Sequence, residues 1–145
     1  MLTLISTSWL NNKPFNLDEK YIQAAELALG AALPESYRLA MQKENGGSIE
    51  VSGDVWQQYP IADTSERKRL VRSCNHIIKE TAFYRDCGFF PDQAVAIAGN
   101  GCGDQLVFIR TDIEDNEFSS AVYIWSHESG ELELVADDFS NIKFG

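Results

Sequence analysis

The residues whose types and spacing could support catalysis or ligand binding lie mainly in the C-terminal half of the chain. Residues 99–104 read Gly-Asn-Gly-Cys-Gly-Asp, which has the composition of a glycine-rich loop for nucleotide phosphates. Such a loop must open into a helix whose amino end faces the phosphate, and a lysine normally follows. Here the strand-like run Gln-Leu-Val-Phe-Ile follows at 105–109 and contains no lysine. The glycines therefore predict a tight turn between two strands.

A second candidate is His127-Glu128, which is followed along the chain by Asp137-Asp138. Together with Asp104, these residues could form an acid–base cluster in a small hydrolase. No nucleophile elbow and no His-Glu-x-x-His motif accompanies them, and solvated turns explain them more simply. We predict no catalytic residues and do not expect an enzyme. A hydrolase that uses Asp104 and His127 is the least favoured alternative.

The three cysteines, Cys74, Cys87 and Cys102, have neither the paired spacing of a zinc site nor that of a disulfide framework. We predict free thiols in a reducing compartment, with the cytoplasm as the default location, and no metal or cofactor. The segment 1–10 lacks a basic region and a sustained apolar run, and nowhere do eighteen apolar residues follow one another. Neither export nor membrane insertion is expected.

The charge of the chain is strongly acidic. It contains 22 acidic and 12 basic residues, for a net charge of -10. Residues 94–145 alone carry 10 acidic and 2 basic residues. Such a charge repels phosphate backbones and anionic lipid surfaces, so neither nucleic acid nor a membrane is an expected direct ligand. The asymmetry suggests a negative face that would steer a basic partner, or equally a solubilising surface that has no partner.

The apolar periodicity changes from helical to strand-like along the chain. This order predicts a single α+β domain over residues 1–145, in which an antiparallel sheet has helices packed on one face. The predicted helices are 17–29, 34–44 and a long helix that begins near the capping-box pair Asp63 and Glu66 and ends near Cys87-Gly88. The predicted strands are 48–61, broken at Gly53-Asp54, then 94–98, 105–110, 121–125 and 131–135.

Three motifs in this order resemble the SUKH superfamily, also called the Smi/Knr family. They are Leu33-Pro34-Glu35-Ser36-Tyr37 with Asn45-Gly46-Gly47, then Gly99-Asn100-Gly101-Cys102-Gly103-Asp104, then Val122-Tyr123-Ile124-Trp125-Ser126-His127-Glu128. That family shows a Leu-Pro-x-x-Tyr helix start, an Asn-Gly-Gly stop, a Gly-Asp turn and a late strand with tryptophan or histidine. The match covers about residues 17 to 140. An aspartate often follows the tryptophan in the family, whereas Ser126 and His127 follow it here.

The resemblance implies an antiparallel sheet with helices on one side. In bacteria it commonly implies an immunity protein that neutralises a cognate toxin, frequently a nuclease. Yeast relatives act as regulatory scaffolds, so a regulatory or scaffold protein is the alternative.

We place the predicted partner-binding surface on the sheet side and its loops, because helices on one side leave the other face available. Carboxylates there would steer a basic toxin domain and aromatic side chains would anchor it. For each aromatic member of this set taken singly, core packing is the favoured explanation. The sequence does not fix the oligomeric state. The predicted partner-binding residues are Glu50, Asp54, Trp56, Tyr59, Asp104, Trp125 and Glu128.

Overall fold

The structure, a computed structural model, describes residues 14–112 and 116–144. The helices are α1 (Glu19–Leu29), α2 (Glu35–Lys43), α3 (Arg67–Arg72) and α4 (Ile77–Asp86). The strands are β1 (Gly47–Val51), β2 (Asp54–Gln58), β3 (Ala94–Gly99), β4 (Gln105–Ile109), β5 (Val122–Trp125), β6 (Leu132–Ala136) and β7 (Lys143–Phe144). A short 3-10 helix (Phe139–Asn141) precedes β7. Within these ranges, no helix combines the length and apolar character needed to cross a membrane.

The strands form one sheet in the order β6-β5-β4-β3-β2-β1-β7, and every neighbouring pair is antiparallel. The predicted α+β fold, an antiparallel sheet with helices packed on one face, is confirmed. The sheet curls: residues of β6, at one end of the strand order, and of β1, next to the other end, line the same cleft. The two-residue strand β7, which pairs with β1, was not predicted from the sequence.

The main core lies between the sheet and helices α1 and α2. Tyr37 and Met41 of α2 are four residues apart, so they lie on one helix face and are both buried. The Tyr37 ring packs edge-on against Phe108 of β4 and Phe139, with centroid distances of 5.1 and 5.2 Å. The opposite face of the sheet carries a smaller cluster of buried side chains: Phe90, Ala94, Ala96, Val107 and Trp125.

The predicted long helix between Asp63 and Cys87 is wrong, because the chain forms two helices with a break at 73–76. The Ser73 hydroxyl accepts from the Asp63 N–H at 2.9 Å and donates to the Arg69 carbonyl at 2.8 Å. His76 then caps α4, since its ring accepts from the Lys79 N–H at 3.3 Å. Short polar side chains that bond to nearby backbone groups compete with a continuous helix.

Helix α4 occupies a gap in the sheet. Strand β2 pairs with β3 only through Gln57↔Gly99 and Gln58↔Ala98, which leaves the first half of β3 without a neighbouring strand on that side. There the Ala96 N–H donates to the Thr81 hydroxyl at 2.9 Å. The Arg85 guanidinium donates to the Ala94 carbonyl at 3.1 Å. Side chains of α4 therefore satisfy backbone groups that a strand would otherwise satisfy.

Candidate protein-binding surface

Antiparallel pairing brings three turns to the same end of the sheet. The β1–β2 hairpin closes where Val51 pairs with Asp54. Strand β3 runs antiparallel to β2, so its last residues and the turn 99–104 lie toward that hairpin. Strand β5 ends opposite the start of β4, where Trp125 pairs with Gln105, so the turn 126–131 also lies there. We call the turns 51–54, 99–104 and 126–131, together with Phe89, the turn surface.

The turn surface and the strands β1 to β6 carry acidic residues that no lysine or arginine of the same segments neutralises. Residues 47–59, 94–109 and 122–138 contain no lysine or arginine. Asp104 is the only acidic residue of these segments that forms an ion pair with a described side chain, that of His127. The acidic residues of the three segments are Glu50, Asp54, Asp104, Glu128, Glu131, Glu133, Asp137 and Asp138.

Asp104 ties two of the turns together. Its Oδ1 accepts from the His127 backbone N–H at 3.1 Å and lies 2.7 Å from His127 Nδ1. Its Oδ2 accepts from the Asn100 amide at 3.4 Å. Partial burial raises the pKa of the Asp104 carboxyl, but the hydrogen bonds from His127 and Asn100 lower it more, so the net pKa is below the usual value. The carboxylate therefore stays charged in its role as a link.

Gly103 is required where these turns meet. Its φ of +103° lies in the region that side-chain-bearing residues avoid. A Cβ atom at this position would lie 2.9 Å from Cγ of the His127 ring. The absence of a side chain at Gly103 therefore lets the imidazole ring lie against the backbone of the 99–104 turn. The predicted turn between strands, with glycines at positive φ, is confirmed.

Phe89 is the most exposed aromatic side chain of the described residues, with 82% of its surface accessible. Its backbone has a φ of +63°, which is unusual for a residue with a bulky side chain. It lies beside Gly130, where a Cβ atom would be 3.2 Å from that of Phe89. Unfavourable backbone conformations persist only where the surrounding structure enforces them, and they concentrate at functional sites. Phe89 is therefore a candidate contact residue.

The buried Trp125 fixes the backbone of Phe89 through a hydrogen bond. Its side chain is 2% exposed, and its Nε1 donates to the Phe89 carbonyl at 3.3 Å. The indole packs edge-on against Phe90 and Tyr84, with centroid distances of 5.1 and 5.9 Å. The two neighbouring phenylalanines thus have opposite roles, since Phe90 is buried in the cluster and Phe89 faces solvent.

The structure separates the predicted aromatic residues from the predicted acidic ones. Trp56 is 2% exposed and belongs to the main core, so it is a structural residue, as is Trp125. Tyr59 is half-buried, and its hydroxyl donates to Gln105 Oε1 at 2.6 Å. The exposed Asp54 and Glu128 lie in neighbouring turns with Asp104, and Glu50 lies on β1 next to the hairpin turn.

Sequence reasoning missed Phe89 as an accessible aromatic residue beside the turns. A usable signal was present, because Phe89-Phe90 follows Gly88 in a short connection before a buried strand. Two adjacent large apolar residues in a loop rarely both reach the core, so one of them is a candidate for exposure. Only the tertiary structure shows which of the two it is.

The thiols and potential metal ligands are dispersed. Cys74, Cys87 and Cys102 are all free and exposed. Within residues 14–112 and 116–144, no group of three or more histidine, cysteine, aspartate or glutamate side chains could hold a metal ion.

Comparison with known families gives a match over most of the chain. The model of the SMI1 / KNR4 family (SUKH-1) matches residues 16–142. The chain belongs to the SUKH-1 family. No individual curated protein matches the sequence significantly. In this SUKH-1 protein, the motifs quoted above have structural positions: Pro34 precedes α2, Gly46 and Gly47 follow it, and the Gly-Asp segment forms a turn of the turn surface.

Proposed function

We propose that this SUKH-1 protein is a cytoplasmic immunity protein that binds and neutralises a basic toxin domain through the turn surface. The observation that carries the proposal is the uncompensated acidic charge around an exposed, backbone-strained Phe89. The proposed role needs no catalytic residue and no cofactor. The three exposed free thiols of this SUKH-1 chain support the proposed cytoplasmic location, because free thiols suit a reducing compartment.

The charge explains how such a partner would be recognised. A toxin that acts on nucleic acid must present basic groups to phosphates, and an acidic surface competes for the same groups. Complementary charge also accelerates association by about 10- to 1,000-fold at low ionic strength. Fast capture matters for an immunity protein, because an active toxin damages the cell until it is bound.

Phe89 would supply the anchor that charge alone does not. Aromatic residues at the centre of an interface, surrounded by polar residues that exclude water, contribute a large share of binding energy. Phe89 has this setting, since the acidic turn 126–131 lies beside it and Trp125 fixes its backbone. In this arrangement the carboxylates govern the association rate and the phenyl ring governs the dissociation rate.

A genetic experiment tests the toxin assignment. We expect the gene immediately upstream to encode a secreted protein with a basic C-terminal toxin domain. Co-expression of this SUKH-1 protein with that toxin domain should restore growth. A protein that binds a cellular regulator but gives no protection against the encoded toxin would instead act as a regulatory scaffold, the alternative role.

A kinetic experiment tests the surface. Glu128→Lys lies in the turn surface, and Glu117→Lys is a matched control in the β4–β5 connection at the opposite end of the sheet. Each changes the net charge from -10 to -8, since one negative charge becomes positive. Glu128→Lys should slow association with the toxin domain about fivefold at low salt, while Glu117→Lys should change it less than about twofold. Equal effects at both ends would place the interface elsewhere.

A further inference from the structure

Strand β6 has an unpaired edge among the described strands. It is last in the strand order and pairs only with β5. The Ser126 N–H donates to the Glu131 carbonyl at 3.0 Å, which shows that this carbonyl points toward β5. Backbone direction alternates along a strand, so the N–H and C=O groups of Leu132 and Leu134 point away from β5, to the open edge.

Residues 131–134, where this strand begins, alternate between acidic and apolar. Leu132 and Leu134 pair with Trp125 and Tyr123, so they share that face of the sheet, and they are 41% and 51% exposed. Glu133 pairs with Ile124 and lies on the other face. Solvent-exposed leucines on an open edge are the feature that proteins normally avoid, because such an edge is a template for strand pairing.

A cleft of about 550 Å³ lies beside this edge. Residues 134–137 line one side, residues 50–53 of the β1–β2 hairpin line another, and Asn141 and Ile142 complete the lining. The charged residues of the lining are Glu50 and Asp137, and the lining contains no lysine or arginine. The space thus combines open backbone groups, apolar side chains and negative charge.

We propose that the free edge of β6, together with the cleft beside Leu134, binds an extended segment of a partner protein, which adds to the sheet as a strand. The segment carries basic and apolar side chains in alternation. Its backbone bonds to the outward groups of Leu132 and Leu134, as in other cases of strand addition. Its apolar side chains lie on the face of the two leucines and its basic side chains on the face of Glu133, since opposite pairs across strands are favourable.

Charge argues against a second copy of this chain as the occupant. Two β6 strands side by side would bring their glutamates together, and like charges on neighbouring strands are destabilising. The inference is independent of the toxin assignment, because it requires only a partner segment of this composition. It therefore stands or falls separately from the role proposed for the turn surface.

Hydrogen exchange of the full-length, isotope-labelled protein tests the added strand. The probe is a blocked octapeptide in which lysine and valine alternate, and a peptide with the same composition in lysine and valine pairs is the control. With the alternating peptide, the Leu132 and Leu134 amides should exchange at least about tenfold more slowly, as expected for amides that gain a hydrogen bond. The Glu133 amide, already bonded to β5, should not change.

A pair of variants tests the role of the backbone. Leu134→Pro removes an outward N–H and is compatible with an edge strand, whereas Leu134→Ala removes the side chain and keeps the N–H. Leu134→Pro should weaken binding of the alternating peptide about tenfold, the effect of about one lost hydrogen bond, and Leu134→Ala less than about threefold. Amide spectra of both variants establish that they fold.

Several outcomes would overturn the proposal. Equal binding of both peptides would show attraction by charge alone. Slow exchange of the Leu132 and Leu134 amides in the free protein would show that another part of this chain already covers the edge. Concentration-dependent protection without peptide would show pairing between copies. If Leu134→Pro does not fold, the exchange measurement on the unmodified protein still tests whether the peptide pairs with β6.

Discussion

Acidic residues have different surroundings on the helical side of this protein and on its turn surface. On the helical side they surround arginines. Arg38 lies 3.0 Å from Glu19, 3.2 Å from Glu26 and 3.5 Å from Glu35. On the turn surface, Asp54, Glu128 and Glu131 have no ion pair with a described side chain. The same residue type thus joins elements in one region and leaves net charge in the other.

The basic helix α3 follows the pattern of the helical side. Arg69 lies 3.3 Å from the buried Asp63 and 3.6 Å from Glu66. The guanidinium groups of Arg69 and Arg72 also lie 4.6 and 4.5 Å from the centre of the Phe15 ring, which suits cation–π attraction. Charge on the helical side is therefore used in folding, whereas charge on the turn surface remains available to a partner.

Removal of a buried acid on the helical side should have the largest effect on stability. Asp63 accepts from the Ser65 N–H and hydroxyl and from Arg69. Asp63→Ala should lower the free energy of unfolding by about 3 kcal/mol, because it leaves these donors and a partly buried guanidinium without their acceptor. Urea unfolding measures the loss.

The matched change on the turn surface is Glu128→Ala. It should alter the free energy of unfolding by less than about 0.5 kcal/mol, since the side chain is exposed and has no described partner. A similar loss for both variants would remove the distinction between the two regions.

The pH dependence of stability sharpens the comparison further. Hydrogen bonds from Ser140, Ser36 and Ser120 lower the pKa of Asp138 to about 2. A carboxyl whose pKa is lower in the folded state stabilises the fold above its ordinary pKa, and this contribution is lost as pH falls through the folded value. Asp138 caps the 3-10 helix, since its carboxylate accepts from the Ser140 N–H. Asp138→Ala should therefore cost about 1 kcal/mol at neutral pH and clearly less at pH 2, where the folded carboxyl is half protonated. Unfolding curves between pH 7 and 2 test this; a difference that does not shrink below about pH 4 would contradict it.

Replacement of Phe89 should increase the free energy of unfolding, whereas the substitutions of Asp63 and Asp138 should decrease it. Phe89→Gly should raise the free energy of unfolding by about 1 kcal/mol, because glycine adopts a positive φ without strain. Phe83→Gly is the control, since Phe83 is also exposed but lies within α4. It should lower the free energy of unfolding by about 1 kcal/mol through helix propensity. Two destabilising changes would show that Phe89 is not strained.

Neutralising the turn surface should have the smallest effect. Glu128→Gln with Asp54→Asn should raise the free energy of unfolding by about 0.3 kcal/mol at low salt, since like charges repel, and by nothing measurable at 1 M salt. Thermal unfolding at the two salt concentrations measures the difference. A loss of stability at low salt would indicate that these acids have structural partners.

The sequence predicts the strands and turns better than it predicts the helical break. Apolar alternation and glycine positions locate β3, β4 and the turn between them to within a residue or two. The break between α3 and α4 depends on the contact of Ser73 with Asp63, ten residues earlier in the chain, and on the Ile77 N–H that donates to the Pro60 carbonyl. Periodicity within a helix carries no information about such contacts.

The candidate site is predictable in its charge but not in its shape. The acidic excess of the late strands and turns can be counted from the sequence. The burial of Trp56 depends on its position on the core-facing side of β2, and the exposure of Phe89 depends on the path of the loop after α4. Both residues are large and aromatic, so composition gives them the same preference.

The insertion of α4 beside β3 has a consequence for the order of assembly. The Ala96 amide is bonded to Thr81, a residue of a helix rather than of a strand. The centre of the sheet therefore cannot be complete before α4 has docked, and the two elements should open together as one cooperative unit. Exchange of the single Ala96 amide would report that opening event. A helix in the place of a strand thus makes the integrity of the sheet depend on a local segment of the chain.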